Sequence, residues 1–450
     1  MNELNARQNV RRFILFRVAF SARFYYPIYA LLFLDLGMSL AQFGILNALW
    51  ALTIVLCELP SGALADTLGR RKLVRFAALC MVLEMCLLLL APVGGGAYAF
   101  VLLAMNRILS GLAEAAASGA DEALCYDSLQ QAGLASEWSA VLVRVQQATS
   151  IAFFFALMLG AAAYDPSWVQ PLCAYFGYKL TVDASAFVKL PVFLTLLSSF
   201  VALWMAYRMQ ESSRHLAAAS SAQSYSAHFR RTRLQALLAG RWIMRSSLVF
   251  AVILSAMIFD SVIRQFLTLA SQYWEVIGLP VASFGLIGSS MALLGLAVPY
   301  VARRLVMAYS PQVNFCFTSF LILLGLVGLA MVLPFLGILP AIFLYFSMQM
   351  TAYFTSHYLN QAAPSRMRAT LLSFRSLATN VAYGVVACLY ALLIWQLKSQ
   401  QPPLKSNLSS ARMEQQAVFV EALNWFAPYF LLSVLVICVL QKLQTKYTHR

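Results

Sequence analysis

The sequence predicts an all-α membrane protein of twelve transmembrane helices arranged as two six-helix halves. Three observations lead there. Of the 450 residues, 61% are hydrophobic and only 11% are charged, against about 25% charged in a soluble globular domain. So little polar surface cannot cover a water-exposed globule. The apolar residues gather in runs of roughly 20, the length at which a helix crosses a ~30 Å hydrocarbon core. Lipid offers the backbone no partners, so such runs close their own hydrogen bonds as helices. The longest internal polar stretch, about 210–241, falls between the sixth and seventh runs.

Taken in order, the first six spans are expected at about 13–34, 43–63, 76–93, 98–119, 140–164 and 188–209. The second six are expected at about 243–269, 282–302, 313–333, 341–361, 371–397 and 422–443. The stretch 165–187, with its Pro, Tyr, Trp and Lys, reads as an amphipathic external connection. The expected organisation is an N-terminal half over 1–209, a linker over 210–241 and a C-terminal half over 242–450. The linker runs from Ser/Ala-rich to basic (Arg230, Arg231, Arg233), as suits a flexible segment meeting a lipid surface.

The formal charge of +15 is distributed by topology. Arg7, Arg11 and Arg12, then Arg70, Arg71, Lys72 and Arg75, then Arg208 to Arg245, Arg303 and Arg304, Arg366 and Arg368, and Lys442, Lys446 and Arg450 all fall on one face. The other face carries only Lys179, Lys189, Lys398, Lys405 and Arg412. The positive-inside rule makes the first face, with both termini, cytoplasmic. No basic domain and no basic face interleaved with aromatics is present, so the charge does not point to nucleic acid. The expected setting is a plasma membrane of the bacterial inner-membrane kind, with lipid around a functional monomer.

The eight cysteines form no CxxC pair and mostly fall inside spans, as small buried apolar residues. The first twelve residues are polar and basic and lead into the first run without a small-residue cleavage site. No Walker loop, HExxH, Cys/His cluster or nucleophile elbow is present, which argues against an ATP-driven pump, a membrane protease or a hydrolase. Neither a metal nor a cofactor is expected. The 17 methionines lack paired i, i+4 Met/His spacing and read as packing material.

The strongest local pattern follows the second span: Gly62-Ala-Leu-Ala-Asp66-Thr-Leu-Gly69-Arg70-Arg71-Lys72. Gly62 and Gly69 permit close helix approach and a sharp turn. Asp66 is placed to pair with a basic group or a helix N-terminus, a contact that can hold one end of the protein shut in one state and release it in another. Glu58, just upstream, belongs with this candidate gate. After the eighth span, Pro299-Tyr-Val-Ala-Arg303-Arg304 keeps only the charge. In the fourth span, Arg107-Ile-Leu-Ser-Gly111-Leu-Ala-Glu114 puts an arginine, a glycine and a carboxylate on one helix face, which Ser118 and Asp121 extend. Such a stripe suits proton relay or anion binding, and equally a structural ion pair.

The loop pattern, by sequence and by position, resembles that of the major facilitator superfamily, and the fourth-span arginine followed by glycine resembles that family's fourth-helix pattern. The resemblance covers the whole chain in topology and spans two to four in specific motifs. It implies a secondary transporter in which two six-helix halves rock about a site near the midplane, most often driven by protons. Span five ends Ala156-Leu-Met-Leu-Gly160-Ala-Ala-Ala and departs from the Gly-rich G-P-x-x-G-G pattern of the family's exporters. The expected cargo is a small amphipathic organic compound such as a drug, metabolite or siderophore, moved outward. Import of a nutrient or iron chelate is the alternative. A polytopic enzyme acting on lipid-linked substrates is the alternative from another class.

Other intramembrane charges are candidates for substrate contact. Arg23, before Phe24, Tyr25 and Tyr26, is placed to bind substrate or to pair with Glu84 in span three. Asp260 and Arg264 form an i, i+4 pair that either neutralises itself or binds substrate. His357 and Asn360 in span ten bind polar substrate or tie helices together. Arg17 and Arg375 lie close enough to a membrane face to snorkel. The acidic segment from Asp121 to Asp127 either pairs with Arg144 or the loop arginines, or is a solvated helix extension.

Overall fold

The computed structural model describes residues 2–175, 184–211, 234, 240–295, 297–362, 368–400 and 408–448, and among them the ordered elements are all helical. The helices are α1 (Glu3–Ser21), α2 (Tyr29–Asp35), α3 (Leu40–Leu68), α4 (Arg70–Leu90), α5 (Ala97–Ala117), α6 (Ala120–Gln131), α7 (Trp138–Tyr164), α8 (Pro166–Tyr175) and α9 (Ala184–Arg208). After the linker come α10 (Ser247–Thr268), α11 (Ala270–Val276), α12 (Ala282–Leu294), α13 (Val298–Ala308), α14 (Pro311–Ala330), α15 (Ile338–Ala362), α16 (Arg368–Gln400), α17 (Leu408–Leu423) and α18 (Phe426–Thr448). Most of the expected linker, with Arg230, Arg231 and Arg233, lies outside the described residues.

Among the described residues, eleven segments are long and apolar enough to cross a membrane. The twelfth is the first in the chain, and it is broken. Instead of one helix over 13–34, α1 stops at Ser21, a 3-10 turn occupies Tyr26–Ile28, and α2 follows. Pro27 supplies the cause, because in a continuous helix its ring would collide with the carbonyl of Arg23 and its missing N–H would leave that carbonyl unbonded. The seventh span ends in a similar way, with α10 passing through Leu269 into a short α11.

The described residues divide into two compact units. Unit 1 comprises Met1–Gly37, Leu52–Arg233 and Val281–Ser289, and unit 2 comprises Met38–Ala51, Leu234–Pro280 and Ser290–Arg450. The unit boundaries therefore run through α3 and α12. Within unit 1, the early part of α12 is tied to α7 by Ser289 Oγ donating to the Phe154 carbonyl at 3.0 Å.

Unit 1 has a core of Phe13, Phe16, Ala77, Ala78, Ala113, Ala116, Ala117, Ala202 and Ala206, all buried. Alanines at the crossings let helices approach closely, which is where packing attraction arises when lipid is as apolar as the side chains. Unit 2 is centred on Val249, Val252, Ile253, Phe354 and Tyr358. The outward stripes are apolar too. On α4, Phe76, Leu79, Leu83 and Leu90 are exposed at helical spacing, the pattern of a face turned to lipid.

The pattern expected to form a loop after span two is almost entirely helical. α3 runs on to Leu68 and α4 starts at Arg70, so the turn is the single residue Gly69. Gly62 has no described atom within 4 Å of where a Cβ would stand, so close approach does not demand glycine there. Gly69 is demanded by its φ of +100°; a Cβ would also lie 2.8 Å from Glu211 Oε2, at the free end of a side chain that can give way.

Candidate functional site

The break in the first span places charge deep inside unit 1. Its backbone is satisfied by neighbours rather than by helix. The Arg23 amide donates to the Ser21 carbonyl at 2.9 Å, and the Phe24 amide donates to Thr195 Oγ1 of α9 at 3.0 Å. Ser198 Oγ donates to the Ala19 carbonyl at 2.8 Å. α7 presses directly on the break. A Cβ at Gly160 would lie 1.7 Å from the Phe24 carbonyl oxygen, so no other residue fits without moving backbone. The span-five glycine thus seats this interruption.

Released from the helix, the Arg23 guanidinium donates to Glu84 Oε1 of α4 at 2.8 Å. Tyr25 Oη donates to the same oxygen at 3.4 Å. Arg107 of α5 brings its Nη2 to 3.8 Å from that oxygen, donates from Nη1 to Tyr29 Oη at 2.6 Å and from Nε to Asn106 Oδ1 at 2.9 Å. Asn106 in turn donates to the Glu84 carbonyl at 2.7 Å. Both cations lie over aromatic rings, Arg23 over Phe20 and Arg107 over Tyr29 and Phe33. Arg23, Glu84 and Arg107 are all buried. The Arg23–Glu84 pair named from the sequence forms. Arg107 and Glu114 are not brought together, because the Arg107 side chain turns to Glu84, Tyr29 and Asn106. Sharing a helix face does not determine which neighbouring helix that face meets. Glu114 is half-buried and forms no ion pair among the described residues.

At the basic end of unit 1, three more groups meet. Glu211, the third residue beyond α9, accepts from the Arg70 amide at 2.6 Å and caps α4, where a carboxylate suits the positive helix end. The Arg70 side chain pairs with Asp127 and donates to the Ala123 carbonyl at 3.1 Å. Arg71 and Arg75 donate to the Tyr207 carbonyl at the end of α9, each at 3.1 Å, and Arg12 donates to the Arg208 carbonyl at 2.8 Å. Three arginines thus satisfy the open carbonyls of one helix C-terminus. Arg17 does not simply snorkel, since it pairs at 3.0 Å with the fully buried Asp121. The acidic segment is therefore not a solvated extension, and Arg144 is not its partner in these pairs. The Asp66 side chain lies outside the described residues, and Glu58 is half-buried.

Unit 2 carries a smaller polar cluster. Arg264 pairs with Asp260 on its own helix at 2.5 Å, donates to Asn380 Oδ1 at 2.9 Å and lies over the Tyr383 ring. His357 and Asn360 do not join it. The His357 ring stacks on Tyr353, and Asn360 donates to the Ser356 carbonyl of its own helix at 2.9 Å, so among the described residues it ties no second helix. The sequence reading missed Tyr29, Asn106, Thr195, Asn380, Tyr383 and Glu211. Only Glu211 left a signal, as an acid beside a basic linker.

A family model described as the Major Facilitator Superfamily matches residues 13–389. The chain belongs to the major facilitator superfamily. No curated protein matches the sequence. Among solved structures, the chain is similar to a mutant of the nucleoside transporter NupG at 13% identity, covering 97% of this chain and 99% of that one, with a TM-score of 0.68. It is also similar to a bacterial homologue of the human lysosomal transporter Spinster, inward-facing and occupied, at 12% identity over 97% and 96% of the two chains with a TM-score of 0.66. A D-xylose–proton symporter gives 13% identity, 96% coverage of each chain and a TM-score of 0.61. At these identities the likeness is one of fold. This member of the superfamily is a multi-pass membrane transporter and not an enzyme, which removes the lipid-linked enzyme reading.

Proposed function

We propose that this transporter exports a small amphipathic organic compound in exchange for protons, by alternating access, with Glu114 as the proton-carrying group. One observation carries the reading. Unit 1 holds two intramembrane carboxyl groups in different situations: Glu84 is held between arginines, and Glu114 is half-buried without an ion pair. Protonating Glu84 would leave two guanidiniums uncompensated inside the membrane, where burial of unpaired charge is costly. Glu114 can take up and release a proton without breaking a pair. The rings of Tyr25, Tyr26, Tyr29, Phe33 and Phe153 gather in contact beside the break and suit a substrate with an apolar body. Asp260 and Arg264 are proposed as further substrate contacts. The Arg70–Asp127 pair and the Glu211 cap are proposed to hold the basic end closed in one state, together with Glu58 and Asp66. The arginines clustered at that end support a cytoplasmic placement of both termini in a plasma membrane, with a monomer in lipid as the working unit.

The test uses everted membrane vesicles with an acidic interior and a labelled panel of amphipathic organic acids, bases and neutral compounds. Gradient-dependent accumulation that collapses with nigericin is expected for wild type. Glu114→Gln should lose gradient-driven accumulation while keeping energy-independent exchange. Unaltered gradient dependence in Glu114→Gln would place the proton site elsewhere, with Asp260 the next group to replace. Uptake is the second reading, favoured by the proton symporter among the fold neighbours, and accumulation in right-side-out vesicles with an acidic exterior would establish it instead.

A further inference from the structure

The contacts around Glu84 do not balance in charge. Two guanidiniums approach Oε1, Arg23 at 2.8 Å and Arg107 at 3.8 Å, with one carboxylate between them. These three groups alone carry one net positive charge and are almost wholly buried; Glu114, whose charge acts on Arg23, offsets it when ionised and leaves it bare when protonated. Arginine keeps its proton at any accessible pH, so the excess cannot be removed by titrating the cations. An ionised arginine at mid-membrane costs ~2.5–3.5 kcal/mol even on the lenient insertion scale.

Arg107 is also not fully used. Its Nη2 is buried and makes no hydrogen bond of good geometry, although the Tyr25 hydroxyl and Glu84 lie close to the guanidinium, and Glu84 Oε2 is buried without a partner as well. Arg107 Nη2 stands 3.8 Å from Glu84 Oε1, close enough for charge attraction but beyond a hydrogen bond, so the ion pair leaves that donor unused. Tyr29 and Asn106 hold the other guanidinium nitrogens in place, so the open one is fixed rather than wandering. A planar guanidinium held in this way suits the two-pronged geometry of a carboxylate. Beside it, the Tyr26 ring is 41% exposed while its edges meet Tyr25, Tyr29 and Phe153.

We infer that the Arg23–Glu84–Arg107 centre binds the anionic head of an amphipathic organic acid, with Arg107 as the principal contact and the Tyr26 ring as support for the apolar body. This rests on the transport of amphipathic organic compounds proposed above, and adds the sign of the substrate's charge. With Glu114 protonated, an anion would bring the centre to neutrality, and in either state it would give Arg107 Nη2 an acceptor.

Three probes share one skeleton and differ only in the head: 3-phenylpropionate, 3-phenylpropylamine and 3-phenyl-1-propanol. Their binding to the purified full chain in lipid nanodiscs is measured by calorimetry and by the shift in thermal unfolding midpoint. The carboxylate is expected to bind at least tenfold more tightly than the other two and to be the one that raises the midpoint. Arg107→Lys, which keeps the charge and loses the fork, should weaken the carboxylate at least tenfold. Equal binding of the three heads, preference for the amine, binding of none, or an Arg107→Lys protein that binds the carboxylate like wild type would each overturn the inference. Discrimination among heads by wild type decides the matter even where the variant does not fold. Gradient-driven movement of amines or alcohols would leave proton-coupled transport standing while removing the anion. Tight carboxylate binding without gradient-driven movement would do the reverse.

Discussion

The intramembrane charges of the two units are arranged on different principles. In unit 1 the Arg23–Glu84 pair joins two segments 61 residues apart, with side chains 3% and 0% exposed. Arg107 brings in a third. In unit 2 the Asp260–Arg264 pair lies on one helix, four residues apart, with side chains 19% and 29% exposed. A pair within one helix travels with it and neutralises itself wherever that helix goes. A pair between helices fixes their relative positions, and losing one member leaves a bare charge in a dry interior. Unit 1 should therefore be rigid around its charges, while unit 2 should tolerate their loss.

That contrast can be broken at four places, each read as a change in unfolding free energy by SDS titration of the purified protein. Glu84→Ala should have the largest effect, about 3–5 kcal/mol, because two guanidiniums are left buried without a counter-charge. Next is Gly160→Ala, where the added methyl meets the Phe24 carbonyl and forces α7 from the break. About 3 kcal/mol is expected, at the upper end for an overpacked site, and a loss under 1 kcal/mol would show that the break yields easily. Thr195→Val keeps shape but strips the Phe24 amide of its acceptor, for about 1–2 kcal/mol. Asp260→Asn should cost least, a few tenths of a kcal/mol, as for an i, i+4 pair on a helix. Should Asp260→Asn destabilise as much as Glu84→Ala, the distinction between the two units fails.

What could be read from the sequence follows the same division between what lipid dictates and what packing decides. Lipid requires spans of a set length, so every span position was visible as an apolar run. The break at residues 22–25 was hidden because Arg23 and Pro27 are diluted by the apolar residues around them. Arg23 with Glu84 could be named because few acids occur inside spans. The partners of Arg107 could not, since Tyr29 and Asn106 reach it from another segment and from the adjacent position, and periodicity along α5 points instead to Glu114. Asp121 could be read as either paired or solvated, because nothing along its own helix identifies Arg17, which covers it from α1. Glu211 stood out as an acid beside a basic linker, but its capping role was hidden because the end of a span and the start of a linker look alike whether or not the acid caps another helix.

The interrupted first span also bears on how the chain is assembled. Neither α1 nor the seven-residue α2 meets the length and apolarity of a membrane-crossing helix. The hydroxyl that satisfies the Phe24 amide belongs to Thr195, 171 residues later in the chain, and the glycine that admits α7 against the break is also still to come. During synthesis, this interrupted segment therefore emerges before the residues that satisfy it. Its final seating awaits the fifth and sixth spans, which makes α7 and α9 internal chaperones for the break between α1 and α2.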